Sequence, residues 1–314
     1  MSVYTTVTPA QLAAWLKRYS IGELKQLTGI AAGIENTNYF VTTSSGRYVL
    51  TLFEKLKAPE LPFYLDLMAH YARHGIPCPQ PIADLDHAYL GELNGKPATL
   101  VTCMPGAELK EVNAQHCATI GALLAHMHLA SNSYHGRVPN PRGPAWWTAT
   151  LPQVLRFLDA GSARLLQAEV SFQSLQRTDN LSSGAIHADL FRENVLWDGA
   201  RVGGIVDFYF ACVDALLYDI AIAVNDWCVT ENGALDGKRS GALLNAYCEV
   251  RAFSADERRM WPVMLRAGAL RFWMSRLYDL HLPRAGELTY AKDPAYFQRI
   301  LTQHVAGANG LCLP

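Results

Sequence analysis

No uninterrupted apolar run in this chain approaches the roughly 20 residues needed to cross a bilayer. The opening stretch MSVYTTVTPAQLAAWL also lacks the basic-then-apolar layout of an export signal, so a cytosolic location is the expectation. Nor is there an excess of charge of one sign. The 27 Lys and Arg balance 28 Asp and Glu, leaving a formal net charge of -1 and no global field to draw nucleic acid or an anionic membrane surface. The seven cysteines, at 78, 103, 117, 212, 228, 248 and 312, are odd in number, scattered and free of any C-x-x-C pair. That distribution excludes a disulfide framework and a thiolate zinc site, and marks them as reduced, mostly buried side chains. The ten histidines supply no helical pair with a third ligand nearby, and His126 and His128 lie in an apolar segment. Internal repeats and low-complexity tracts are also absent. Nothing in the sequence sets an oligomeric state.

What is present is enough apolar material for a large core, since half of the 314 residues are hydrophobic. Polar residues gather in one suggestive place, Ala185 to Phe208, AIHADLFRENVLWDGARVGGIVDF. His187, Asp189, Asn194 and Asp207 there surround two short strand-like runs, Val195 to Trp197 and Gly204 to Val206, joined by an Asp198-Gly199 turn. A hairpin of this kind brings the Asn and the second Asp together. A carboxylate that accepts a hydroxyl proton, with hard oxygen donors for divalent cations on a triphosphate, is the minimum for phosphoryl transfer. Asp189 suits the first task, with His187 organising its loop; Asn194 and Asp207 suit the second. The spacing H-x-D-x-x-x-x-N followed by a strand-borne D-F resembles that shared by protein kinases and the aminoglycoside-phosphotransferase-like small-molecule kinases.

The N-terminal third reads as a small sheet. Thr8-Pro9-Ala10-Gln11 is a capping box with Pro at the first helical position, and Leu12, Trp15, Leu16 and Tyr19 recur on one face of a helix over 8 to 19. Strand-like runs follow at Leu24 to Thr28, Asn38 to Thr43 and Arg47 to Phe53, then a helix from Leu61 to His74 closed by Gly75. Tyr89 to Leu93 and Pro97 to Cys103 complete five antiparallel strands. The loop between the first two strands holds Gly33 for close backbone approach to phosphate, with Asn36, Thr37 and Asn38 as donors. Thr51 stands on the third strand where kinase relatives carry a phosphate-gripping Lys or Arg, which leaves Lys55 or Lys57 just after the strand for that role, or a site that relies on metal and backbone donors alone. Glu60 reads as a dipole partner at the start of the next helix.

The strand end at Met104-Pro105-Gly106 marks the boundary between a β-rich nucleotide-binding lobe over 1–103 and a helical catalytic and substrate-binding lobe over 104–314. In kinase-like folds this strand end receives adenine, so backbone groups from Thr102 to Met104 are the candidates. Beyond it, helical patterns occupy 116–130, 148–159 and 161–177, and 131–147 reads as a loop ending in Trp146-Trp147. After Asp207, Tyr218-Asp219-Ile220-Ala221 resembles the kinase element whose Asp bonds the catalytic-loop backbone. Asp214 and Asp226 are candidates for a cationic substrate group. Arg192 comes first for a carboxylate, then Arg266 and Arg271, because a guanidinium matches a carboxylate bidentately.

The stretches Gly33 to Phe40, Tyr48 to Lys55, His187 to Trp197 and Ile205 to Trp227 together resemble the type II homoserine kinases, bacterial enzymes of the aminoglycoside-phosphotransferase fold. The resemblance runs over almost the whole chain. It implies an α+β, bilobal, protein-kinase-like fold with a five-stranded antiparallel N-lobe and a mostly helical C-lobe. It also implies ATP and Mg2+ as cofactors and L-homoserine, phosphorylated on its side-chain hydroxyl for threonine synthesis, as the acceptor. Residue spacing by itself supports an ATP-dependent small-molecule kinase, so an aminoglycoside, choline or sugar acceptor stays open, as does a silent nucleotide-binding pseudokinase.

Overall fold

The computed structural model describes residues 4–30, 36–283, 292–307 and 312–314. The chain divides into two compact units, Met1–Gly106 with Leu196–Val206, and Ala107–Val195 with Asp207–Pro314.

In the first unit the capping box forms as the sequence predicts: Gln11 N–H donates to the Thr8 hydroxyl at 3.2 Å and Thr8 N–H donates to Gln11 Oε1 at 2.9 Å. It opens helix α1, Pro9–Leu16, which buries Leu12, Trp15 and Leu16. Strands β1 (Leu24–Gly29), β2 (Thr37–Thr43) and β3 (Arg47–Leu52) form a meander, α2 (Pro62–Arg73) follows, and β4 (Gly91–Leu93) and β5 (Lys96–Thr102) close the sheet. The strand order is β1-β2-β3-β5-β4 and every pairing is antiparallel. The alternation of β2, with Thr37, Tyr39, Val41 and Thr43 buried, turns one face towards α1. There Leu12, Trp15 and Leu16 meet Tyr39, Val41, Leu50, Leu52, Ala98 and Leu100 in a continuous apolar core. Glu60 accepts a hydrogen bond from Lys57 N–H at 2.8 Å, so it caps the short 3-10 turn ahead of α2.

The second unit is helical. It begins with α3 (Ala114–Ser131), α4 (Pro144–Leu155) and α5 (Ala160–Ser174), and the four-residue strand β6 (Ser183–Ile186) leads into the Asp189 loop. Trp146 and Trp147 lie inside α4 rather than in a loop, because Pro144 takes the first position of that helix. The hairpin of β7 (Val195–Asp198) and β8 (Arg201–Ile205) belongs almost wholly to the first unit. Its close approach to the Met104-Pro105-Gly106 turn depends on glycine: a Cβ on Gly203 would lie 2.2 Å from the Pro105 carbonyl oxygen. Strand β9 (Cys212–Ala215) pairs antiparallel with β6, and α6 (Leu216–Trp227), α7 (Gly237–Val250), α8 (Ala255–His281) and α9 (Ala295–Val305) finish the chain. Every residue of α6 is buried, which makes it the central helix of this unit. Among the described residues no helix is long and apolar enough to cross a membrane.

Candidate active site

The loop between β6 and β7 carries His187, Asp189, Arg192 and Asn194, and α6 holds it from one side. Asp219 accepts from His187 N–H at 3.0 Å and from Ala188 N–H at 2.8 Å, one bond to each carboxylate oxygen. Asp226 accepts from Arg192 N–H at 2.8 Å, and Trp227 Nε1 donates to the Leu190 carbonyl at 3.0 Å. Asp219 lies two turns before the consecutive pair Asp226 and Trp227 on α6, so a single rigid helix fixes three points of the loop. The scaffold role that the sequence suggests for Asp219 is what its two main-chain contacts describe. The contacts stabilise a strained backbone: Ala188 lies in the left-handed region with φ 59°, which costs a non-glycine residue on the order of 1 kcal/mol. Behind Asp219, His128 Nε2 lies 3.2 Å from its carboxylate while His128 Nδ1 meets the Tyr247 hydroxyl at 2.8 Å. His187 is fully buried and its ring centroid lies 4.6 Å from that of Phe208.

Asp189 itself stands partly open, with 16% of its side chain exposed. Asn194 donates through Nδ2 to the Asp189 main-chain carbonyl at 2.8 Å and to its carboxylate at 3.2 Å. That use of the amide nitrogen leaves Asn194 Oδ1 as an oxygen donor for another partner. Burial pushes the Asp189 carboxyl up to about 8; Arg271 opposes the shift and the negative charge of Asp207 adds to it. Asp207 also occupies the left-handed region, at φ 62°, just after β8. Asn194 Oδ1 and the Asp207 carboxylate are hard oxygen donors of the kind a divalent cation takes. Among the described residues no cluster of three or more His, Cys, Asp or Glu forms a metal site by itself, so phosphate oxygens would have to complete the coordination.

The remaining predicted residues fall in different settings. Arg192 and Asp226 do come together, paired through Nε at 3.2 Å and Nη2 at 3.4 Å, in an open pocket of about 200 Å3 that Glu108, Leu109, Phe191 and Glu193 also line. Asp214 lies on β9, where Asn140 Nδ2 donates to it at 2.8 Å and its own chain neighbour Ala215 N–H at 2.7 Å. Arg266 is engaged elsewhere, clamped on the buried Glu169 at 2.5–3.2 Å with its guanidinium 3.6 Å from the Phe172 ring centroid. In the first unit, Gly33 lies outside the described residues. The Thr37 hydroxyl accepts from Tyr4 and Thr5 N–H and donates to Glu54, which makes it a structural junction. Asn36 offers its carbonyl to Asn38 Nδ2 at 3.4 Å, and Asn38 Oδ1 accepts from Thr51 across the β2–β3 pair at 2.8 Å. Thr51 is therefore a buried strand residue satisfied by its neighbour, while Lys55 is exposed just beyond β3. Thr102 accepts from Gln80 N–H at 2.9 Å, and Met104 packs on Gly204.

Sequence reasoning gave little weight to Arg271. This α8 residue is only 3% exposed, and its Nη1 stands 4.0 Å from Asp189 Oδ1. Trp227 is a further such residue, its contact with Leu190 being remote in sequence, while His128, read as a histidine of an apolar segment, is buried between Asp219 and Tyr247.

A left-handed, anchored loop presenting a carboxylate beside an amide and a second carboxylate, in a helical unit separate from an antiparallel five-stranded one, defines a phosphotransferase of the protein-kinase-like fold. Residues 26–258 match the phosphotransferase enzyme family, and the chain belongs to that family. Within it, the chain is similar to curated homoserine kinases: 56% identical to that of Methylobacillus flagellatus, covering 98% of this chain and 96% of the relative. It is 48% identical to that of Paraburkholderia xenovorans, over 98% of this chain and 97% of the relative. The fold is shared with solved structures of amicoumacin kinase hAmiN, in complex with AMP-PNP, Ca2+ and Ami (TM-score 0.73, 16% identity, 97% of this chain and 95% of that one). It is also shared with a microcompartment-associated aminopropanol kinase (TM-score 0.65, 20% identity, 98% of this chain and 100% of that one).

Proposed function

We propose that this protein transfers the γ-phosphoryl group of ATP to the side-chain hydroxyl of L-homoserine in the cytoplasm, giving O-phospho-L-homoserine and ADP for threonine synthesis. The observation that carries the reading is identity of 47–56% to homoserine kinases over nearly the whole chain. The Asp189 loop supplies a chemistry to match. As the acceptor oxygen forms its bond to the γ-phosphorus and the bond to the β-phosphate oxygen breaks, the hydroxyl proton passes to the Asp189 carboxylate. Burial raises the proton affinity of that carboxylate, which strengthens it as a base. Asn194 holds the carboxylate in place through its amide. Mg2+, held by Asn194 and Asp207 when bound, offsets the charge of the phosphates.

In the pocket beside the loop Arg192 pairs with Asp226 and Lys292 with Glu193, which leaves the Glu108 carboxylate as the acidic group suited to the ammonium end of an amino-acid acceptor. Lys55 and the backbone from Thr102 to Met104 are assigned to the phosphates and to adenine. The deciding experiment is ADP release from Mg-ATP with homoserine, serine, threonine, choline and kanamycin as separate acceptors. Preferred turnover of homoserine is the expected result; preferred turnover of choline or kanamycin would overturn the reading.

A further inference from the structure

Arg271 is a buried cation with an unpaired donor, its Nε. Its side chain is 3% exposed, its guanidinium carbon lies 3.9 Å from the Phe272 ring centroid and 5.2 Å from that of Phe210, and its Nε has no hydrogen-bond partner among the described residues. Its nearest carboxylate, Asp189, is 4.0 Å from Nη1, too far for a hydrogen bond. Burying a guanidinium is costly unless its donors are satisfied. The two other arginines considered for this end of the substrate are already committed. Arg192 spends Nε and Nη2 on Asp226, and Arg266 spends Nε and Nη2 on Glu169. A buried guanidinium flanked by aromatic rings and placed next to the proton acceptor is suited to a planar anionic group brought in by the acceptor molecule.

We propose that Arg271 binds the α-carboxylate of the amino-acid acceptor, so that the hydroxyl end of the same molecule is held at Asp189. The proposal rests on the reading that the acceptor is an amino acid. It makes Arg271 the residue that separates amino acids from amines of the same length. Homoserine and 3-aminopropan-1-ol differ only by the carboxylate, and 3-aminopropan-1-ol is the informative probe. Loss of a charge-assisted bidentate contact corresponds to roughly 10- to 100-fold in binding.

The test is the steady-state kinetics of wild type, Arg271→Lys and Arg271→Met with homoserine and with 3-aminopropan-1-ol. The wild type should favour homoserine by at least tenfold in kcat/KM. In both variants kcat/KM for homoserine should fall by roughly 10- to 100-fold more than kcat/KM for 3-aminopropan-1-ol, the gap being wider for Met than for Lys, while the loss shared by both acceptors reports the effect of Arg271 on the Asp189 carboxyl. Equal losses on both acceptors would overturn the proposal, because they would mean that Arg271 acts only through Asp189 or the transferring phosphoryl group. If the variants do not fold, the wild-type ratio still decides: no discrimination between the two acceptors sinks the assignment. A wild type that phosphorylates 3-aminopropan-1-ol or kanamycin but not homoserine would instead defeat the functional reading on which the proposal rests.

Discussion

The Asn194 side chain is tied to the main chain of Asp189, its Nδ2 donating to the Asp189 carbonyl at 2.8 Å. Because that bond goes to the backbone, replacing the Asp189 carboxylate leaves the loop tethered. Asp189→Asn should therefore lower kcat by about 10²- to 10⁴-fold, the contribution of a positioned proton acceptor. ATP affinity measured by calorimetry should stay within a few-fold of wild type. Near-normal turnover in this variant would remove Asp189 from the mechanism.

Metal dependence follows from the same few atoms. Asn194 Oδ1 and the Asp207 carboxylate are the oxygen donors assigned to Mg2+, so Asp207→Asn should raise the half-saturating Mg2+ concentration by tenfold or more. Chelation should abolish wild-type turnover, and added Mg2+ should restore it. An Asp207→Asn enzyme with an unchanged Mg2+ titration would place the cation elsewhere.

The link from α6 to the catalytic loop should be visible in stability and its pH dependence. Asp219 is fully buried; burial opposes its charge, but contacts with His128 and the His187 backbone hold its carboxyl below the ordinary value. A carboxyl depressed on folding contributes stability that is complete above its unfolded pKa and is lost as pH falls through the folded one. Asp219→Asn turns an amide nitrogen towards one of two main-chain N–H donors. It should cost on the order of 2–4 kcal/mol in urea unfolding at pH 7. The loss should shrink as pH drops below about 4, where the carboxyl begins to take up a proton in the unfolded chain while the folded one still resists it. A cost that stays constant down to pH 3 would show that Asp219 is not the titrating anchor.

Local spacing carried much of this architecture, and its limits have identifiable causes. The Thr8 to Gln11 box and the β2 and β3 runs are specified by residues a few positions apart, and they fold as such. His187, Asp189 and Asn194 are legible for the same reason, since one short loop fixes their relation. Arg271 comes to Asp189 only because α8 packs on α6, where Gly268 lets the helices approach, and no periodicity records that. Pro152 and Pro262 sit inside α4 and α8, where propensity alone argues for a break and tertiary packing overrides it. The strands β6 and β9, at four residues each, are too short to show alternation.

Thr51 illustrates a residue whose sequence position invites a functional reading that its contacts redirect. Its hydroxyl satisfies Asn38 across the β2–β3 pair, and only 4% of the residue is exposed. Thr51→Val should cost about 1 kcal/mol of stability, the worth of one buried neutral hydrogen bond, with KM for ATP unchanged within about twofold. Lys55→Met should raise KM for ATP several-fold at nearly constant stability. The reverse pattern, with nucleotide affinity falling in the Thr51 variant alone, would return the phosphate contact to the strand.

Arg266 and Arg271 share α8 but differ in what surrounds them, and the contrast is open to measurement. Arg266 closes on Glu169, a carboxylate 1% exposed, while stacking on Phe172. Removing one member of a buried pair strands the other, so Arg266→Leu should destabilise the fold by about 3–5 kcal/mol. Replacing both partners, Glu169→Leu with Arg266→Leu, should recover much of that loss, because no uncompensated charge is then left in the interior. In the double variant KM for homoserine should stay near wild type, since neither residue touches the Asp189 loop. A large rise in that KM at restored stability would move the carboxylate contact from Arg271 to Arg266.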